Sequence, residues 1–156
     1  MDSNIELGMG TCTMKYSPKV NEFLARVPQM TAIHPYQDER TIQGILEIMH
    51  KLNLFLCEIS GLDQFVFHPS GGGHATYTNA CLFRAYHASR GELDQRDEVI
   101  TTIFSHPVNP ATANAAGFRV INLMPDVKGY PDFEALKAAC SKRTAGLMIT
   151  NPEDTG

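Results

Sequence analysis

Tryptophan is absent from the 156 residues, and no two of the four cysteines (Cys12, Cys57, Cys81 and Cys140) form a CxxC pair. Their wide spacing matches neither a zinc framework nor a disulfide framework, and predicts free thiols in a reducing compartment. There is no basic surplus: 13 Lys and Arg against 17 Asp and Glu give a net charge of −4. That argues against the electrostatic footprint of a nucleic-acid binder. No apolar run approaches the ~20 residues that span a bilayer. The start, Met-Asp-Ser-Asn-Ile-Glu, has neither the basic nor the apolar region of a secretory signal. The expectation is a cytoplasmic protein with no membrane and no nucleic-acid partner. HExxH, GxSxG, GxGxxG and a Gly-Lys-Ser/Thr P-loop are all missing, so none of those chemistries is signalled. The six histidines show no ligand spacing with cysteine, and no metal is expected.

What is present is an ordinary globular composition, 43% hydrophobic and 19% charged. Residues 1–38 read as an irregular arm, broken by Gly8, Gly10, Pro18, Pro28 and Pro35, with one short helix near Pro18 to Val27. Ile33-His34-Pro35-Tyr36 reads as a turn stiffened by its proline. A long helix is predicted from about Glu39 to Ser60. Ile42, Ile45, Leu46, Met49, Leu52, Leu56 and Ile59 recur at spacings of three and four and predict one buried stripe. Asp38 or Thr41 is placed to cap its start and Gly61 its end.

Beyond it, strands and helices alternate. Gln64–Phe67 reads as a short strand, His74–Arg90 as a helix closed by Gly91, and Glu98–Phe104 as a buried strand. Tyr77, Phe83 and Tyr86 read as packing residues of that helix. Asn109 and Pro110 suit the N-cap and first position of an Ala-rich helix running to Gly117. Phe118–Leu123 is a strand, Asp132 caps a helix bearing Phe133, Leu136 and Cys140, and Ala145–Thr150 is a strand. This order predicts an α/β fold with a mainly parallel sheet and flanking helices. Parallel sheets need both faces covered. A sequence that stops just after an apolar strand therefore reads as the front part of a larger domain, 39–156, incomplete at Gly156.

Three segments could carry chemistry. His68-Pro69-Ser70-Gly71-Gly72-Gly73-His74 joins a predicted strand to a predicted helix. Glycines there would let backbone N–H groups approach an anion at a helix N-terminus. The same residues also suit a plain tight turn. Ser105-His106-Pro107-Val108-Asn109 follows the buried strand, at the strand end where ligands bind in open α/β sheets. Gly10-Thr11-Cys12-Thr13-Met14-Lys15 is a polar, Gly-led stretch of the arm that suits a ligand contact or a surface loop.

Taken together the segments resemble one family. GTCTMKYSPKVNE (10–22) is similar to the GSCTMKYNPK signature of glycine dehydrogenase (decarboxylating), the P-protein of the glycine cleavage system, in particular its subunit 2. HPSGGGHAT (68–76) stands where the family has QPAAGAHGE, SHPVNPATANAAGF (105–118) resembles AHGTNPASAAMAGF, and MITNPEDTG (148–156) resembles LTNPNTLG. The motifs run in order over essentially the whole chain.

The resemblance implies a partial large domain of the fold type I enzymes that use pyridoxal 5'-phosphate. It implies that Ser70, Gly71, Gly72 and Gly73 hold the cofactor phosphate, that His106 stacks on the pyridine ring, and that Asn109 supports it. Thr13 and Lys15 match positions of the active-site arm, with His34 nearby. The implied reaction is decarboxylation of glycine, with the cofactor as electron sink and the aminomethyl group passed to the lipoyl arm of H-protein. The implied partners are glycine, lipoylated H-protein and the other P-protein subunit, in an oligomer. The family's Schiff-base lysine lies beyond the position of Gly156, so this chain by itself is expected to lack turnover. Pro107 and Val108 replace a Gly-Thr pair, and Thr76 replaces an acidic residue. These departures leave room for another fold type I decarboxylase or lyase, or for a non-catalytic binding or assembly module.

Overall fold

The computed structural model describes residues 18–151, which fall into two compact units, one ending at Phe67 and the other beginning at His68. Among these residues no helix is long and apolar enough to cross a membrane, and no cluster of His, Cys, Asp and Glu could hold a metal ion.

In the first unit Pro18 sets the entry to α1 (Lys19–Ala25), and Pro28 occupies the first turn of α2 (Pro28–Thr31), where its missing N–H costs nothing. His34 O accepts the Gln37 N–H at 2.9 Å, closing the turn expected around Pro35. The long helix begins later than its sequence suggests. Asp38 does cap, but it accepts the Arg40 N–H at 3.0 Å and so starts a single 3-10 turn, Glu39–Thr41. Ile42, at φ −121°, interrupts the run before α3 (Gln43–Ser60). At the far end Gly61 adopts φ +72° and donates its N–H to Cys57 O at 2.8 Å, the left-handed cap that glycine accommodates best.

Two sequence expectations fail here. No residue of α3 is buried, and Leu46, Met49, Leu52 and Ile59 of the expected stripe stand 38–82% exposed. An apolar stripe needs a partner surface. In this unit α2 and Ile33 meet only the N-terminal end of α3, where Gln29, Met30, Ile42, Ile45 and Ile48 line a cleft of about 300 Å³. Gln64–Phe67 is not a strand either. The Phe65 N–H goes to Asn53 Oδ1 at 2.8 Å, a side-chain acceptor in place of a neighbouring strand.

The second unit is built on a parallel sheet of three strands, β1 (Glu98–Thr102), β2 (Arg119–Leu123) and β3 (Thr144–Met148), in the order β2-β1-β3. Every residue of central β1 is buried, whereas the flanking strands are half-open. Val99 and Ile100 pair with Val120 and Ile121 on one side and with Gly146 and Leu147 on the other. α4 (Gly72–Ser89) packs on α5 (Val108–Ala115) and β3, and α6 (Phe133–Ala139) packs on β2. Asp132 caps α6 as expected, accepting from the N–H groups of Glu134 and Ala135. The core is Ala80 of α4, Ala113 and Ala116 of the α5 segment, Val99, Phe118 and Met148. Small residues at the helix contacts let the helices lie close on the sheet. Tyr77 and Tyr86, read from sequence as packing residues, are exposed, because the buried line of α4 runs through Ala80 and His87.

A charged cluster closes the N-terminal edge of the sheet. Buried Glu98 accepts from Arg119 at 3.2 Å and lies 3.5 Å from Arg143 Nε, and Ser141 Oγ donates to it at 3.4 Å. Beside it, Arg143 makes a two-pronged pair with Asp97. The Arg143 guanidinium, chiefly by hydrogen bonding, holds the Asp97 carboxyl below the ordinary aspartate value of 3.8. A lowered folded-state value means the pair stabilises the fold above 3.8 and loses that contribution as pH falls through the depressed value. Asp97→Asn should therefore lower the urea midpoint at pH 7, with the difference from wild type closing as the pH is taken below 3.8.

A second outcome concerns β3. A Cβ on Gly146 would lie 2.6 Å from Phe83 Cε2 and 3.0 Å from Cδ2. Gly146→Ala should cost about 1–3 kcal/mol through displacement of that ring, read as a lower urea midpoint with an unchanged slope.

Candidate functional site

The turn before α4 and the turn before α5 meet. A Cβ added to Gly73 would touch Val108 Cγ2 at 3.5 Å, so the first turn of α4 lies against the first turn of α5. The α5 turn follows the C-terminal end of β1, the edge at which parallel α/β sheets hold their ligands.

The two helix starts differ in what they have left to offer. At α5 the backbone donors are already committed. Pro107 and Pro110 have no N–H, Val108 donates to His106 Nδ1 at 3.0 Å, Asn109 to His106 O at 2.9 Å, and Ala111 to Pro107 O at 3.4 Å. At α4 the first helical bond is Ala75 N–H to Gly71 O at 2.9 Å. The N–H groups of Gly72, Gly73 and His74 precede it without an acceptor in the helix, and no side chain among the described residues caps them. Gly71 is extended, at φ −177°, and no atom of the described residues lies within 4 Å of where a Cβ on Gly71 or Gly72 would stand. Among the described residues the start of α4 thus offers open backbone, uncapped donors and the positive end of an 18-residue helix. Ser70 precedes that start. Its N–H donates to His74 Nδ1 at 3.3 Å, and its hydroxyl lies 3.4 Å from the same nitrogen.

His106 is exposed. Accepting from Val108 at Nδ1 places the neutral ring's proton on Nε2. Asn109 is not the N-cap its sequence suggested. Pro107 is already helical, at φ −55° and ψ −21°, so α5 starts two residues early and the His106 ring satisfies Val108. Asn109 instead lines a cleft of about 370 Å³ with Thr76, Asn79, Phe83, Leu147 and Met148. Neither His106 nor the Ser70–Gly73 turn lines that cleft. Thr76 and Thr112 spend their hydroxyls on their own helices, donating to Gly72 O at 2.9 Å and Val108 O at 2.7 Å.

The remaining sequence candidates fall elsewhere. Thr13 and Lys15 lie outside the described residues. His34 belongs to the first unit, where it is exposed and its Nδ1 accepts the Tyr36 N–H at 3.1 Å. The sequence placed His74 in the Gly-rich segment but gave it no role, although its i+4 spacing from Ser70 was a usable signal. Sequence reasoning missed Asn79, which carries no local signature.

The second unit is thus a parallel α/β domain whose uncapped α4 start lies beside the turn that carries His106. The chain is homologous to proteins called probable glycine dehydrogenase (decarboxylating) subunit 2. The protein of that name from Pyrococcus horikoshii is 47% identical over 148 residues, 95% of this chain. Those from Pyrococcus abyssi and Caldanaerobacter subterraneus are 49% and 45% identical over the same length. The chain spans about 29–30% of the length of these relatives. No family model matches it.

The spacing at Gly73 sets a graded test. Gly73→Ala meets Val108 at ordinary contact distance and should leave stability within about 0.5 kcal/mol of wild type. Gly73→Val should press on α5 and lower stability by about 1–3 kcal/mol, both read from urea midpoints.

Proposed function

We propose that this chain is the cofactor-phosphate and ring-stacking portion of a pyridoxal-phosphate-dependent glycine decarboxylase of fold type I. The observation that carries the reading is the contrast between the two adjoining helix starts. The N–H groups of Gly72, Gly73 and His74 are free of helical and side-chain acceptors, while those of α5 are already used. A phosphate fits that donor set, which is backbone amide with a neighbouring serine hydroxyl and no side chain in the way.

In this reading Ser70, Gly71, Gly72 and Gly73 hold the phosphate, and His106 stacks on the pyridine ring with its Nδ1 already engaged by Val108. Asn109 fixes the α5 start behind it. The motif resemblance assigns Thr13, Lys15 and His34 to the handling of substrate. When bound, pyridoxal phosphate would supply an electron sink for the pair released as the glycine carboxylate departs. The aminomethyl group would pass to the lipoyl arm of H-protein, with the other P-protein subunit as partner. A phosphate held by fixed backbone donors contributes orientation, which is where alignment of the breaking bond originates.

The test is ligand-induced amide shifts in the 156-residue chain. Pyridoxal phosphate should move the amide resonances of Gly72, Gly73 and His74, and pyridoxal without its phosphate should not. Gly72→Asp, which sets a carboxylate among those donors, should weaken binding about tenfold or more. Equal shifts with pyridoxal, or none with pyridoxal phosphate, would remove the phosphate cradle from the reading.

A further inference from the structure

We infer that two buried hydroxyls, those of Thr101 and Ser105, form a positioning device for His106, an inference that takes its functional meaning from the proposed ring-stacking role. Thr101 is fully buried in β1 between Ile100 and Thr102, and Ser105 is 7% exposed in the turn that follows. Their hydroxyl oxygens lie 2.7 Å apart. Thr101 Oγ1 is also 2.7 Å from Met148 O at the end of β3, and Ser105 Oγ is 2.9 Å from Thr102 O.

The two protons can be arranged in two ways. With Ser105 donating to Thr101, Thr101 donates to Met148 O and the bond runs across to β3. With Thr101 donating to Ser105, Ser105 donates to Thr102 O and the bond stays in the turn. In both, each hydroxyl donates once and the pair ties the turn to buried backbone. A hydroxyl in so buried a strand is costly unless it is bonded. A valine would fill the position of Thr101 with the same shape, so the oxygen is present for the bond.

What the bond holds is the residue after Ser105. His106 is exposed, so packing does not orient its ring. It is gripped from two sides instead. On one, Ser105 is anchored through its hydroxyl, and its N–H donates to Thr102 O at 3.1 Å. On the other, the N–H groups of Val108 and Asn109 bind the His106 ring and carbonyl. Loss of the buried anchor frees one end of that grip.

The experiment reads the imidazole directly. Nitrogen NMR of the 156-residue chain should show His106 in the Nε2–H form in the wild type and in Thr101→Ser, which keeps the hydroxyl. Thr101→Val and Ser105→Ala should convert it to a mixture of tautomers, with the amide resonances of Val99 and Ile100 still in place. Pyridoxal phosphate affinity should fall about tenfold in both and recover in Thr101→Ser. If Thr101→Val unfolds, Ser105→Ala decides. Wild-type imidazole resonances in a folded Ser105→Ala variant would overturn the inference whatever its affinity. A changed imidazole in a chain whose wild type binds no pyridoxal phosphate would uphold the positioning role and overturn the cofactor reading.

Discussion

The close seating of α4 on the sheet is the constraint on which the rest of the second unit depends. Phe83 occupies the space that a side chain at Gly146 would need, and Ala80 and Ala113 are fully buried where helices and sheet close on each other. Packing at interior density leaves no slack for larger residues at such points. Because α4 lies this close, its first turn reaches α5 and puts Gly73 against Val108. His87, near the other end of α4, adds a directional tie through Nε2, 2.9 Å from Ala145 O on β3. The position of the α4 start is therefore set by contacts made well along the helix from it, at small residues of the core.

The two edges of the sheet are held by different chemistry, and the division suits a site at one of them. At the N-terminal edge, Asp97 and Glu98 are paired with Arg119 and Arg143. Those pairs draw β1, β2 and the approach to β3 together with long, partly solvated side chains, whose energetic worth is modest and depends on pH. At the C-terminal edge the ties are short buried hydroxyl bonds from Thr101 and Ser105. Short side chains hold position more tightly than long ones, since fewer torsions must be fixed. A hydroxyl network also adds no net charge at that edge.

Much of this was legible in the sequence because it is local. A β-branched run marked β1, Gly61 marked the end of α3, and Asp132 marked the start of α6. The Gly-rich turn announced itself as a helix start with open backbone. What was not legible depended on contacts between distant residues or on competition for one donor. The stripe from Leu46 to Ile59 has helical periodicity, but periodicity says only that a face is apolar and nothing about what covers it. Gln64–Phe67 has strand composition, yet a strand needs a neighbour, and Asn53 takes the Phe65 N–H instead. Asn109 is a good N-cap residue by type, but the helix already runs from Val108, and the Ala111 N–H that Asn109 would accept goes to Pro107 O instead.

That last competition bears on the departures at 106–108. Replacing a Gly-Thr pair by Pro107 and Val108 removes one backbone donor and one hydroxyl from the α5 start. Had the anion site been there, the change would weaken it directly. The donors at α4 are on a different helix and are untouched by it. What the substitution alters is the way His106 is held. With no N–H at Pro107, the first available donor is Val108, and it is satisfied by Nδ1 of the ring two residues back. Pro107 also enters the helical region at φ −55°, which shortens the turn between His106 and α5. On the proposed reading the substitution leaves the α4 donors assigned to the phosphate as they are, and changes only how His106, assigned to the ring, is fixed.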